Sequence, residues 1–530
     1  MGSLTLGALS SCDATRPAAK LIGIRLGATP MKRRVFCGSA LATIATASLP
    51  LNRLLAAATA PVASDVPAIT GTGRQIILPR ADVADLRTRL RGQLLLAGDA
   101  GYEEARQVWN GSFNRRPALI ARCAGAADVI QAVNFGRAHE LLVSVRGGGH
   151  SISGQSVCEG GLMIDLAPMK SVRIDPFARR ARVEGGALLG DFDREAQAFG
   201  LATTAGTVSH TGVAGLTLGG GFGRIGRKFG LSCDNVRAYD LATADGRLLR
   251  VSADENADLN WGLRGGGGNF GVVTSFEYEL YPVGPVLLGG VLIYPVAQAK
   301  EVLEFFDGYF EDAPDELYVD TTLITTPEGQ KVLVLDSTYC GSIEAGERVL
   351  KPLREFRKPL VDAIAPQPYV KQQSSVDDAF AYGRHYYVKA GFTRRLPPDL
   401  IEAMIETFMS STLPITPILT APQGGAISRV APDATAFTYR EARHSLLVAA
   451  AWDDSSGDEA HLTWARAAWK NLEPFTRGFY VNDNNADISE RRVLENYGIN
   501  LPRLAALKAK YDPTNLFRMN ANIKPSAGSP

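Results

Sequence analysis

Apolar residues fall along this chain in short blocks with two different periods. Leu141-Leu142-Val143-Ser144-Val145 and Leu162-Met163-Ile164-Asp165-Leu166 are nearly continuous apolar runs of strand length. That is the pattern of strands covered on both faces. Ser171–Asp175 and Ala181–Glu184 predict a hairpin, interrupted by Pro176 and the pair Arg179-Arg180. Ala187–Phe199 predicts a helix, with Leu188, Leu189, Phe192 and Ala196 on one face and Gly200 as its stop. Gly271–Leu280 alternates as a strand does, after the loop Arg264–Asn269. Upstream, Ala81–Leu96 predicts a helix within a lead-in over residues 61–100.

The pattern changes in residues 286–475. Leu287–Tyr294 predicts a strand and Ala297–Phe310 a helix. Leu317–Thr326 and Lys331–Tyr339 form a hairpin around Pro327-Glu328-Gly329, and a helix follows at Ile343–Phe356. Repeated strand, hairpin and helix units predict one antiparallel sheet backed by helices. The expected fold class is therefore α+β in two domains, which suits a chain of 530 residues.

Two glycine clusters interrupt the first half. Arg146-Gly147-Gly148-Gly149-His150-Ser151-Ile152-Ser153-Gly154-Gln155-Ser156 follows the strand Leu141–Val145. Gly206-Thr207-Val208-Ser209-His210-Thr211-Gly212-Val213-Ala214-Gly215 leads into Leu216–Leu218 and then Gly219-Gly220-Gly221-Phe222-Gly223. Without a Cβ, successive backbone N–H groups can converge on an anion such as a pyrophosphate. Two clusters predict two backbone walls around one extended ligand. Gly221–Gly226 also fits G-x-G-x-x-G. Its flanks, Gly212–Leu218 and Arg227–Asn235, make a poor strand and a poor helix, so no nicotinamide site is expected.

With these clusters, the tail Tyr480-Val481-Asn482, Tyr497-Gly498-Ile499-Asn500, Leu507–Arg518 and Asn520-Ala521-Asn522 resembles the berberine bridge enzyme-like oxidases. These belong to the vanillyl-alcohol-oxidase group of FAD enzymes, with a PCMH-type fold. The resemblance spans residues 100–525. It implies a PCMH-type FAD-binding domain at residues 100–285, a substrate domain at 286–475 and a return to the FAD domain at 476–530.

The resemblance also implies which residues hold FAD. These are Arg146, Gly147, Gly148, Gly149, His150, Ser151, Gly154, Gln155 and Ser156 in the first cluster. Gly206, Thr207, Thr211, Gly212, Gly215, Gly220 and Gly223 follow in the second, with Val273, Tyr480, Asn482, Asn520 and Asn522 beyond it. His150 falls on the family's flavin-attachment histidine. Val208 stands where some members carry a second, cysteinyl link, so one covalent bond is expected and a less open cleft with it. Thr211 lies where the family controls access of oxygen to the flavin.

Oxidation of an alcohol or amine carbon needs a base for the O–H or N–H proton. Tyr480, Lys389 and Tyr439 are the candidates. The other reading of Tyr480 is a packing aromatic, and of the other two a polar strand end. His210 is either an acid–base group or a structural hydrogen-bonder. O2 is the expected acceptor, giving H2O2. The rivals are a dehydrogenase of the same fold with another acceptor, and an exported flavin-binding protein without turnover.

Composition adds little against this. Hydrophobic residues are 45%, charged residues 21% and the net charge is +1, so no field favours nucleic acid. The partners expected are a small molecule and O2. Met31-Lys32-Arg33-Arg34-Val35-Phe36, then an alanine-rich apolar run and small residues near Ala56–Ala60, match a twin-arginine export signal within residues 1–60. The other readings are a membrane anchor or a basic patch, and the run is short for a span. Met31 is an alternative start. Export machinery would then be a partner, and the mature protein would be periplasmic or secreted. Of six cysteines, Cys12 and Cys37 precede the mature chain. Cys123, Cys158, Cys233 and Cys340 lack metal-ligand spacing, and export would permit a disulfide among them. Cys233 is expected to be a packed thiol.

Overall fold

The computed structural model describes residues 62–526, apart from 484, 486 and 488. The export segment lies outside the described residues. Among those described, no helix is long and apolar enough to cross a membrane.

The first half holds two larger sheets and two two-stranded ones, Val66–Ile69 with Gln75–Leu78 and Leu201–Ala202 with Tyr281–Pro282. One has four strands in the order Gln93–Leu95, Leu119–Arg122, Leu162–Asp165 and Val143–Arg146. Its last two pairings are parallel, which explains the continuous apolar runs of its inner strands. The other runs Leu248–Ser252, Val236–Ala242, Val272–Glu279, Arg180–Glu184 and Val172–Asp175, all antiparallel. The helix Leu189–Gln197 packs Leu189, Phe192 and Ala196 into this sheet's core.

The second half is one eight-stranded antiparallel sheet. Its main path runs Val361–Asp362, Val286–Pro295, Lys331–Tyr339, Leu317–Thr325, Ile418–Pro422, His444–Trp452 and His385–Thr393, with Ala365–Pro368 also paired to the second of these. Helices Ala299–Glu311, Ile343–Phe356, Pro398–Met409 and Asp458–Leu472 cover one face. Val302, Leu303, Phe306 and Phe310 show the helical spacing that buries the first of them. Each such side chain contributes roughly 1.5–3 kcal/mol. The opposite face is left to line the site.

One expectation fails locally. The helix predicted over Ala81–Leu96 stops at Arg89, and Gln93–Leu95 becomes a strand paired with Leu119–Arg122. A Cβ on Gly92 would stand 1.9 Å from the Arg122 carbonyl oxygen, so close strand contact overrides the apolar pattern. Gly212–Leu218, read as a poor strand, contains the short helix Val213–Leu218.

The halves are joined by buried polar contacts. The Trp109 indole donates to the Phe380 carbonyl at 2.7 Å, and Asn110 exchanges two bonds with the Tyr386 backbone. Arg440 makes a two-toothed pair with Asp234 at 2.6 and 2.8 Å. The C-terminal return is anchored by Lys508, fully buried, which donates to Asp512, Asn269 and Phe517. All four described cysteines are buried and unpaired, so no disulfide forms among them. Burial pushes the Cys233 thiol far up, as befits a packed side chain.

Candidate active site

A cavity of about 1000 Å3 lies between the glycine loops and the uncovered face of the large sheet. The first glycine cluster leaves the strand Val143–Arg146 and meets the second cluster almost backbone to backbone. A Cβ on Gly148 would stand 2.4 Å from Gly212 Cα, so the two loops approach only because both residues are glycine. The C-terminal return closes this side. Gln155 donates to the Asn520 carbonyl at 3.0 Å, and Asn520 donates to that of Gly268 at 3.1 Å.

Most of the expected cofactor residues line this cavity. They are Gly147–Ser151, Gln155, Ser156, Gly206, Thr207, Thr211, Gly212, Gly215, Gly223, Val273, Tyr480, Asn482 and Asn520. Val208 and Ala521 are among their neighbours. Four others stand outside the wall. The Arg146 side chain turns to the Ala105 carbonyl and lies 4.0 Å from Asp165. Gly154 sits under the Phe113 ring, and Gly220 abuts Phe437 while its carbonyl holds the Cys233 amide. Asn522 stands past the last cavity residue of the tail.

The chemistry of this wall suits FAD. Gly215 and Gly268 border the cavity, and a Cβ on either would meet nothing within 4 Å, so they leave room against the ligand. Buried polar atoms lacking a protein partner include His150 Nε2, Ser156 Oγ and Asn520 Oδ1. Such groups call for a partner, and a bound ligand supplies it. His150 stacks on Trp109 at 4.2 Å, and Trp109 stacks in turn on Tyr386 at 3.8 Å. Burial, helped by nearby His210, lowers the His150 pKa to about 3. The ring is therefore neutral and keeps a free lone pair. His210 lies 5.0 Å from it, and its Nδ1 is also buried without a partner. The hydrogen-bonding role expected of His210 is thus absent at that atom.

The three base candidates fare differently. Tyr480 lines the cavity, but its hydroxyl donates to the Leu216 carbonyl and accepts from Gly221 N and Asn482 Nδ2. Burial, and then the nearby Asp483, push its phenol well above the ordinary range, which disfavours loss of its proton near neutral pH. Lys389 is on the strand His385–Thr393, where Tyr386 and Val388 face the cavity. Successive side chains alternate, so Lys389 faces away, and it pairs with Asp487 at 2.7 Å. Tyr439 donates to the Glu495 carbonyl beneath Gly478, away from the cavity. Neither lines the cavity.

Sequence reasoning missed the carboxyl groups. Asp483 lines the cavity one residue past Asn482, and burial raises it to about 7. It lies just beyond a motif that was read for its tyrosine. On the sheet side, Tyr318, Asp320, Asp336, Arg224, Gln372 and Ser375 gather at one end of the wall. They come from strands and loops far apart in sequence. Strand alternation was the only available signal, placing Tyr318, Asp320 and Thr322 on one face.

Comparison with known proteins agrees with this geometry. An FAD-binding-domain family model matches residues 117–252, and the model described as berberine and berberine like matches 479–524. An FAD-linked oxidoreductase of Dictyostelium discoideum is 33% identical over 441 residues, covering 82% of this chain and 95% of that protein. (R)-6-hydroxynicotine oxidase of Paenarthrobacter nicotinovorans is 31% identical over 453 residues, covering 82% and 97%. The crystal structure of 6-hydroxy-D-nicotine oxidase from Arthrobacter nicotinovorans superposes with a TM-score of 0.76 at 29% identity, covering 82% of this chain and 98% of that one. Matched by both family models and 33% identical to a relative over most of both chains, this chain belongs to the berberine bridge enzyme-like FAD-linked oxidoreductases of the PCMH-type fold.

Proposed function

We propose that this FAD-dependent oxidoreductase is an oxidase of an alcohol or amine carbon, with its FAD bonded to His150 and O2 as electron acceptor. The observation that carries the reading is the neutral His150 ring at the meeting of the two glycine loops, with Nε2 buried and unpartnered. A neutral imidazole has the lone pair that alkylation requires, and the Trp109 stack holds its plane. Val208 has no thiol, so the attachment is single. FAD supplies the two-electron acceptor for the substrate hydride and, once reduced, the reductant for O2. Thr211, beside Val208 in the cavity wall, is small enough to leave O2 a path.

Asp483 takes the substrate's proton. It is a cavity carboxyl poised near neutrality, where a general base is most effective. Tyr480 and Asn482 hold the backbone of Gly215 and Leu216 in place. The twin-arginine pattern supports export of the folded, flavin-loaded chain.

Acid precipitation of the purified protein tests the attachment. Wild type should leave yellow flavin in the pellet, and His150→Ala should release it to the supernatant. Flavin in the wild-type supernatant would remove the covalent link. Anaerobic reduction by substrate followed by admission of air tests the acceptor: immediate reoxidation marks an oxidase, and a lasting reduced spectrum a dehydrogenase.

A further inference from the structure

The polar end of the cavity contains two carboxyl groups and one cation to pair with them. Asp320 and Asp336 lie directly opposite each other on the antiparallel strands Leu317–Thr325 and Lys331–Tyr339. Like charges in that register repel. Arg224 reaches across from the flavin half and relieves one of them, its Nη2 bonding Asp336 at 2.8 Å with both side chains buried. Gln372 donates to the other oxygen of Asp336 at 2.9 Å. Asp320 receives only the Tyr318 hydroxyl, at 3.2 Å.

Among the described residues no further cation faces Asp320. Its own strand adds Tyr318, the strand beside it adds Asp336, and Ile418–Pro422 on the other side adds only Leu419 and Ala421 to the wall. Of the other cavity cations, Lys371 is exposed and Arg384 pairs with Asp453 at 2.8 Å. No group among the described residues could hold a metal ion. Beyond this end the sheet face is mostly apolar, with Val334, Val388, Leu419, Leu447 and Ala449, interrupted by Thr322 and Ser445.

We propose that the cavity takes a substrate with an apolar body and a basic nitrogen, and that Asp320, backed by the Arg224–Asp336 pair, binds that nitrogen as an ammonium. This rests on the reading of the cavity as a substrate site, and it selects amines from the wider class. Burial, and next the charge of Asp336, raise the Asp320 carboxyl far above its ordinary range, so the free protein holds it as an acid. An arriving ammonium would stabilise the ionised form, and the complex would release about one proton at neutral pH.

Calorimetry on the flavin-loaded protein tests this without turnover. The probes are 2-phenylethylamine, 2-phenylethanol and phenylacetate, with their naphthyl counterparts, at pH 7 in buffers of different ionisation enthalpy. The expected order is ammonium over alcohol by at least about tenfold, as one desolvated charged bond of 1.5–3 kcal/mol requires. Carboxylate should bind weakest, and proton release should accompany the amine alone. Asp320→Asn should abolish the release and bring the amine to the level of the alcohol. Equal or tighter binding of alcohol or carboxylate, amine binding without proton release, or no amine binding at all would overturn the proposal. Those results need no variant, so a misfolded Asp320→Asn does not shield it. If the amine binds as expected but never bleaches the flavin, the oxidase reading fails while this site stands.

Discussion

On the flavin side the cavity wall is mostly backbone, and on the facing side it is mostly side chains of one sheet face. Gly148 and Gly212 touch where no Cβ fits, while Gly215 and Gly268 leave space beside the ligand. There the ligand meets chain direction and turn geometry, which tolerate little change. The sheet opposite is a regular antiparallel scaffold whose cavity-facing positions can be exchanged without moving a strand. Its polar end depends on charges brought together from different elements. One wall therefore suits a constant cofactor, and the other a substrate that differs between relatives.

Asp483 stands between these walls, and its loss should have the largest effect. Asp483→Asn should lower kcat by about a hundred- to ten-thousandfold while the flavin stays bound. Stopped-flow reduction of the flavin by substrate reads this step alone. In wild type that rate should fall as pH drops below about 7, because a base must be deprotonated to act. The variant should lose that dependence, and an unchanged rate would remove Asp483 from the chemistry.

Breaking the charged end of the sheet wall should cost stability next. Arg224→Met leaves Asp336 buried beside Asp320 with no cation and should destabilise the fold by about 3–5 kcal/mol in chemical denaturation. Arg224→Met with Asp336→Leu should recover most of that, because a buried pair replaced together by apolar groups is close to neutral.

On the backbone wall, Gly148→Ala should cost about 1–3 kcal/mol by forcing the two loops apart. It should also loosen flavin retention, read as free flavin after gel filtration. The smallest effect belongs to Lys389→Met, which removes an ion pair outside the cavity. Its cost should stay below about 1 kcal/mol with kcat and KM unchanged. A large loss of kcat there would bring Lys389 back into the site.

Much of this was legible in the sequence, and the limits are physical. The helix Ile343–Phe356 and the hairpin Leu317–Thr325 with Lys331–Tyr339 follow the predicted patterns closely, because the helix has one buried face and the hairpin pairs neighbours across a short turn. The flavin wall was legible for a similar reason: its glycines are contiguous, and a loop that must approach a ligand writes that need into a short run. The cavity carboxyls Asp483, Asp320 and Asp336 were not legible. Tyr480, Lys389 and Tyr439 were chosen by residue type and motif, yet whether a side chain can accept a proton depends on its surroundings.

The sequence by itself determined the α+β fold class, the family, the glycine loops and the position of His150 in the first of them. Each depends on residues adjacent in the chain or on a fixed period. Only the tertiary structure decided that Lys389 faces away, that the Tyr480 phenol is held as a donor, and that Asp483 lines the cavity. It alone set Asp320 opposite Asp336 with Arg224 on one of them. Those outcomes turn on strand register, on which face a side chain takes and on the charges of distant neighbours, and none of these is a property of a local stretch of sequence.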